Sequence, residues 1–199
     1  MTYAHNETIE KATVLFWKKG FQGAGMRDIQ DALDMRPGSI YARFQSKEGL
    51  FKLVVEHYVQ QSRSALQEIA ESPEPIKALR AFFMTALTCQ EDQRFMRQCL
   101  LVRSVTEVEL LGSMAKKAVI DGMGILREGF ADIVKRAVDV NILPKDTPIA
   151  RSADWLQNQF VGLRTYAMLQ GDDKYIEEMV DKVMLDLSRQ WSTQPHSFT

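Results

Sequence analysis

The sequence predicts an all-α protein with a helix-turn-helix close to its N-terminus. Apolar residues recur at helical spacing along the whole chain, with no sustained alternation of the kind that marks strands and no internal repeat. Paired prolines, Pro73 with Pro75 and Pro144 with Pro148, fall between the periodic stretches, where they interrupt no helix. The run from Met26 to Phe51, MRDIQDALDMRPGSIYARFQSKEGLF, reads as two short helices joined by a tight turn and followed by the start of a third. A unit of that kind places its second helix in the major groove of duplex DNA.

Composition permits this reading without forcing it. A chain of 199 residues with 45% hydrophobic content can bury one large or two small cores. The formal net charge is -1, so a nucleic-acid surface has to be local. Residues 1–52 carry eight Lys or Arg against six acids, a mild bias in that direction. Cys89 and Cys99 match neither a zinc spacing nor the disulfide framework of a small secreted domain. No apolar run approaches a membrane span, and no charged leader precedes an apolar segment. The expectation is a reduced, cytoplasmic protein with no membrane partner.

The elements follow in order. A first helix over 6–19 takes Asn6 as its cap, carries Ile9, Ala12, Leu15 and Phe16, and stops at Gly20. A second, near 26–32, buries Met26, Ile29 and Ala32 or Leu33, and Asp34-Met35 makes the turn. Pro37 suits the first position of the third helix, 37–44, because its missing N–H costs nothing there and its φ is already helical; Arg36 is then the N-cap. Ser46 caps a fourth helix that runs into the sixties and ends at Ser72-Pro73-Glu74-Pro75. Five more helices are expected over 76–88, 93–110, 113–140, 148–170 and 174–191, with Pro144, Pro148 and Gly171 as punctuation.

The run Phe16…Gly20-Phe21…Asp28-Ile29…Gly38-Ser39-Ile40-Tyr41…Phe44…Ser46-Lys47-Glu48…Leu50 resembles the N-terminal domain of TetR-type transcriptional repressors. The resemblance covers the first quarter of the chain. It implies a helix-turn-helix DNA-binding domain over 1–47, a helical ligand-binding and dimerisation domain over 48–191, and a tail over 192–199. It also implies a homodimer on a double-stranded DNA operator, released by a small-molecule effector that lowers DNA affinity.

Carried over by residue, the resemblance puts Arg27 where it can reach a base edge or a phosphate. Arg36, Ser39 and Tyr41 match the face of the third helix that touches bases and backbone, with Pro37 opening that helix. Arg43 and Lys47 match positions that hold phosphates on either side of the groove. The chemistry is compatible, since Arg reads guanine bidentately while hydroxyls and Lys bond phosphate oxygens. Without the motif, isolated Arg and Lys on a short polar helix form a solvated face, and Tyr41 could equally be core beside Ile40 and Phe44. Four departures stand out. Gly25 replaces a capping hydroxyl, leaving half a capping box with Asp28. Asp34 replaces the turn glycine and Arg36 the usual Ser cap. Ala42 offers only a methyl, suited to a thymine methyl.

In the second domain, Phe82, Phe83, Leu87, Cys99 and Val102 could line an apolar effector cavity with Met123, Phe130, Trp155 and Phe160; ordinary core packing is the alternative. Gln98-Cys99-Leu100-Leu101 resembles a placement in which some members of the family carry an oxidant- or electrophile-sensing cysteine. A helix N-terminus with Arg94 and Arg97 nearby would favour a reactive thiol, and a buried inert one is the alternative. Apolar stripes on the last two helices, including Trp155, Gln159, Leu163 and Tyr166 on one and Met179, Val183 and Met184 on the other, could pack within the monomer or against a twin. The resemblance implies a four-helix dimer interface.

No reactive constellation supports catalysis. His5, His57 and His196 are scattered over a terminus, a helix and the tail, without the Glu-x-x-His spacing of a helical-bundle metal site. Neither an enzyme, a metal nor a cofactor is expected. The alternative to a DNA-binding regulator is a helical interaction module without DNA affinity.

Overall fold

The computed structural model describes residues 2–88, 96–169 and 172–189 of the chain, with side chains from Asn6 onward. Nine α-helices and no strand are found among them: α1 (Thr2–Gly23), α2 (Met26–Leu33), α3 (Pro37–Phe44), α4 (Lys47–Glu71), α5 (Pro75–Leu87), α6 (Leu100–Thr106), α7 (Ser113–Asp139), α8 (Ile149–Ala167) and α9 (Asp173–Leu187). Cys89, Gln93, Arg94, Gly171, Trp191, His196 and the tail lie outside the described residues.

Two expectations about helix limits are corrected. The first helix begins at Thr2, so Asn6 is an interior position and not a cap. Its stop at Gly20 is real: this residue adopts φ 75, ψ 174, and only Phe21 to Gly23 resume a helical turn. The sixth helix does not run to Leu110. It ends at Thr106, and a separate 3-10 turn covers Val108–Leu110. The hydroxyls of Ser104 and Thr106 bond back to the carbonyls of Leu100 and Arg103, at 2.8 and 2.6 Å, and such local bonds favour termination over continuation.

The chain divides into two compact units, Met1–Ala65 with Cys89–Leu126, and Leu66–Thr88 with Arg127–Thr199. α4 and α7 each contribute to both.

In the first unit, α1, α2, α3 and the start of α4 enclose one apolar centre. Phe16, Ile29, Ile40, Leu50 and Phe51 are buried there. Phe51 meets the rings of Phe16 and Phe21 edge-on at 5.1 and 5.0 Å. Each such side chain contributes roughly 1.5–3 kcal/mol of burial, and together they fix the angles of α2 and α3, two helices of 8 residues too short to persist alone. α6 packs against α1. The Trp17 indole N–H donates to the Gln98 carbonyl at 2.7 Å.

In the second unit, α9 lies against α5 and α8. Its stripe of Ile176, Val180, Val183 and Leu187 is buried. Arg80 on α5 binds Glu177 and Asp181 on α9 at 2.6 and 2.5 Å, which holds the Asp181 carboxyl below the usual carboxylate range. Asp172 caps α9 by accepting the N–H groups of Lys174 and Tyr175.

Candidate nucleic-acid interface

The helix-turn-helix is built with little slack. α2 starts at Gly25, whose N–H donates to Asp28 Oδ2 at 2.8 Å, so the acidic half of the capping box survives the loss of the hydroxyl half. The same carboxylate accepts from Lys19 Nζ at 2.5 Å, and these bonds, Lys19 first, hold it below the ordinary aspartate range. Asp34 takes the left-handed conformation, φ 52 and ψ 46, that the turn requires. Met35 N–H returns to the Gln30 carbonyl at 3.2 Å.

α3 opens on Arg36, an extended N-cap at φ -71 and ψ 150, with Pro37 as its first residue. It closes at Gln45, whose N–H donates to Tyr41 O at 2.9 Å. Two residues later α4 begins, its first turn capped by Ser46 Oγ, which accepts Gly49 N–H at 3.0 Å. Gly49 is required at this corner, because a Cβ there would collide with the Phe44 carbonyl.

One face of α3 is inside and the rest is outside. Ile40 and Phe44, one helical turn apart, are its buried residues. Arg36, Pro37, Gly38, Ser39, Tyr41, Ala42 and Arg43 are all exposed, as is Arg27 on α2. Tyr41 is 51% exposed, which settles its side of the helix: it stands in solvent beside a fully buried Ile40. The Arg43 guanidinium lies 5.3 Å from the Phe44 ring centre and donates to Thr8 Oγ1 at 3.4 Å.

Lys47 differs from the others. It is half-buried, with its ammonium 4.4 Å from the centre of the Phe21 ring. Burial pulls its pKa below the usual lysine value, and the charges of Glu107 and Asp28 oppose that shift. No carboxylate among the described residues is paired with it.

The predicted effector residues separate between the units. Phe82, Phe83, Phe130 and Phe160 gather in the second, with Phe160 at 5.3, 4.7 and 5.8 Å from Phe82, Phe83 and Phe130. Leu87 is buried and Trp155 half-buried in that unit, whereas Cys99, Val102 and Met123 belong to the first. A groove of about 280 Å3 in the first unit is lined instead by residues such as Val59, Arg63, Gly122 and Ile125. Another of about 350 Å3 in the second is lined by Ile76, Arg80, Ile142 and Met184 among others.

Cys99 is the N-cap of α6 and not a residue of its first turn; it is 2% exposed, with the Tyr58 hydroxyl donating to its sulfur at 3.4 Å. Of the predicted dimer residues, Leu163 and Val183 are buried within the chain itself, at 5% and 6% exposure. Trp155, Gln159, Met179 and Met184 are half-buried and Tyr166 is exposed.

Glu48, Glu107 and Gln22, whose distant partners are unmarked in the sequence, tie the N-terminal helices, the head of the protein, to residues 107–115. Glu48 Oε1 accepts the N–H groups of Met114 and Ala115 at 3.0 and 3.1 Å, capping α7. Glu107 Oε2 accepts Gln22 N–H at 3.0 Å, and Gln22 Nε2 donates to the Leu110 carbonyl at 3.1 Å. Glu48 is legible in the sequence only as a favourable first-turn acid of its own helix. Its partner stands 67 positions away, where no local signal reaches.

Comparisons with known proteins agree with this arrangement. Residues 9–54 match the family model of bacterial regulatory proteins of the tetR family, and residues 75–183 match the tetracyclin repressor-like C-terminal domain. The chain belongs to the TetR family. It is 36% identical over 74 residues to the HTH-type transcriptional repressor BdcR of Escherichia coli K12, covering 37% of this chain and 38% of that protein. It is 24% identical over 106 residues to the HTH-type transcriptional repressor ComR of the same organism, covering 52% of this chain and 50% of that protein. The matches thus span half or less of these two relatives. The solved structure of a cysteine mutant of the TetR family transcriptional regulator CifR, complexed with a 26-base-pair double-strand operator DNA, shares the fold at a TM-score of 0.75, with 23% identity, covering 94% of this chain and 96% of that one.

Proposed function

We propose that this chain is a DNA-binding transcriptional repressor that acts as a homodimer, with α3 as its reading helix, and that it is neither an enzyme nor a membrane protein. The observation that carries the reading is the exposure of α3. Two residues anchor it to the core, and Arg36, Ser39, Tyr41, Ala42 and Arg43 are left facing outward on a rigid support. Arg36, Ser39 and Tyr41 are assigned to bases and backbone, with Arg36 and Tyr41 setting base preference, Arg27 to a base edge or a phosphate, Ala42 to a methyl contact, and Arg43 and Lys47 to phosphates. Residues 1–47 form the functional DNA-binding segment and 48–191 carry effector binding and dimerisation, in a protein that works in the cytoplasm. Relatives named as repressors and a neighbour held on operator DNA support this assignment.

The dimer surface is assigned to α8 and α9 through Trp155, Gln159, Tyr166, Met179 and Met184. An effector, a small hydrophobic or aromatic molecule, is assigned to the second unit, near Phe82 and Trp155, which are its partly accessible members. It can release the operator only by preferring the low-affinity conformation, so operator must weaken its binding by the same factor.

The test is a binding selection from genomic fragments with the purified protein. The expected product is a near-palindromic site with half-sites about one helical turn or somewhat more apart. Absence of duplex affinity at low salt would leave a helical interaction module instead.

A further inference from the structure

We propose that Glu107, at the end of α6, is a positioning residue for DNA binding, which it serves by seating the phosphate-binding Lys47 while touching no DNA itself. The inference rests on the reading of Lys47 as a phosphate contact given above. The chain from Trp17 to Gln22 is stitched to the segment 98–110 at three points: the Trp17 indole to the Gln98 carbonyl, Gln22 N–H to Glu107, and the Gln22 side chain to the Leu110 carbonyl. Glu107 holds the middle of this seam.

The geometry around it is specific. Gly20 sits at φ 75, a conformation that L side chains rarely adopt, and a Cβ there would collide with Glu107 Oε1. The helix therefore breaks at the one residue that lets a carboxylate reach the Gln22 N–H. Between Gly20 and Gln22 lies Phe21. Its ring is fixed against Phe16 and Phe51, at 6.3 and 5.0 Å, and forms the surface over which the Lys47 ammonium rests.

Burial lowers the Lys47 pKa, and the Glu107 charge opposes that shift without forming an ion pair. The Lys47 ammonium is thus held on an aromatic face beside the reading helix, with no carboxylate among the described residues paired to it. A direct salt bridge would have competed with phosphate. A longer-range carboxylate, held in place by its bond to a backbone N–H, gives the charge without the competition.

Binding to a short random-sequence duplex, followed as a function of salt, isolates phosphate contacts from base reading. Wild type, Lys47→Ala, Glu107→Ala, Glu107→Gln and the Lys47→Ala/Glu107→Ala pair are compared, with thermal melts to confirm folding. Lys47→Ala should reduce the slope of log affinity against log salt by about one. Glu107→Ala should reproduce that reduction and weaken binding to the same degree. Adding Glu107→Ala to Lys47→Ala should change nothing further. Glu107→Gln, which keeps an acceptor for Gln22 N–H but loses the charge, should fall between wild type and Glu107→Ala in both affinity and slope. An unchanged slope in Glu107→Ala, or losses that add in the double variant, would overturn the inference and leave Glu107 a purely structural cap. A wild type that binds no duplex at low salt would instead defeat the functional reading, and this inference with it.

Discussion

Glu48 in the first turn of α4 caps the N-terminus of α7 by accepting the backbone N–H of Ala115 at 3.1 Å, together with that of Met114 at 3.0 Å. The residue that follows a proposed phosphate contact thus satisfies donors that the start of another helix would otherwise leave open. Replacing Glu48 with Ala should lower unfolding free energy by about 1 kcal/mol, and Glu48→Gln by less, because the amide oxygen still accepts. Urea denaturation measures this directly. Equal losses in the two variants would show that charge, and not the acceptor, is what matters.

Base reading and phosphate holding should separate in mutants of α3 and α4. Arg36→Ala or Tyr41→Ala should lose roughly 1–3 kcal/mol on the selected site and change the preferred bases. Lys47→Ala should weaken all sequences alike. Repeating the selection with each variant decides the assignment, and a shifted base preference in Lys47→Ala with none in Arg36→Ala would reverse it.

Acid should weaken the head through Asp28. Lys19 and the Gly25 N–H hold its folded-state pKa below the unfolded value. Its contribution to stability is therefore complete above the unfolded aspartate range and disappears as pH falls through the folded value. Asp28→Asn should be less stable than wild type at neutral pH and should show a shallower acid limb in thermal melts across the carboxylate range. Parallel limbs would mean that other carboxylates carry the acid sensitivity.

Phe160 touches three other rings and is 4% exposed, so its truncation leaves a cavity where the effector cluster was expected. Phe160→Ala should cost about 3–5 kcal/mol of stability in chemical denaturation. A cost below about 1 kcal/mol would indicate that the space is already loosely filled and open to a ligand.

Cys99 should behave as a protected thiol. At 2% exposure beside the Tyr58 hydroxyl it lacks the access that a reactive sensor needs. Native protein should react slowly with iodoacetamide at this position and quickly once unfolded, read by peptide mass spectrometry. Rapid native modification, with loss of operator binding that Cys99→Ser escapes, would restore the sensing role that its sequence surroundings suggested.

The helices of the head are legible in the sequence because their signals are local. Pro37 at the first position of α3, Ser46 capping α4 and the spacing of Ile40 and Phe44 each act within about one turn of the chain. The family motif added the roles of Arg27, Arg36 and Lys47. Tertiary structure decided what depends on partners distant in sequence: that Tyr41 faces solvent, that Leu163 and Val183 are core, and that Cys99 is shut in by Tyr58. It also decided that α6 stops at Thr106, leaving Glu107 free to reach Gln22 across 85 positions of chain. Periodicity and capping record what a residue does to its own helix, whereas burial and long-range bonds are set by whichever surface the fold brings against it.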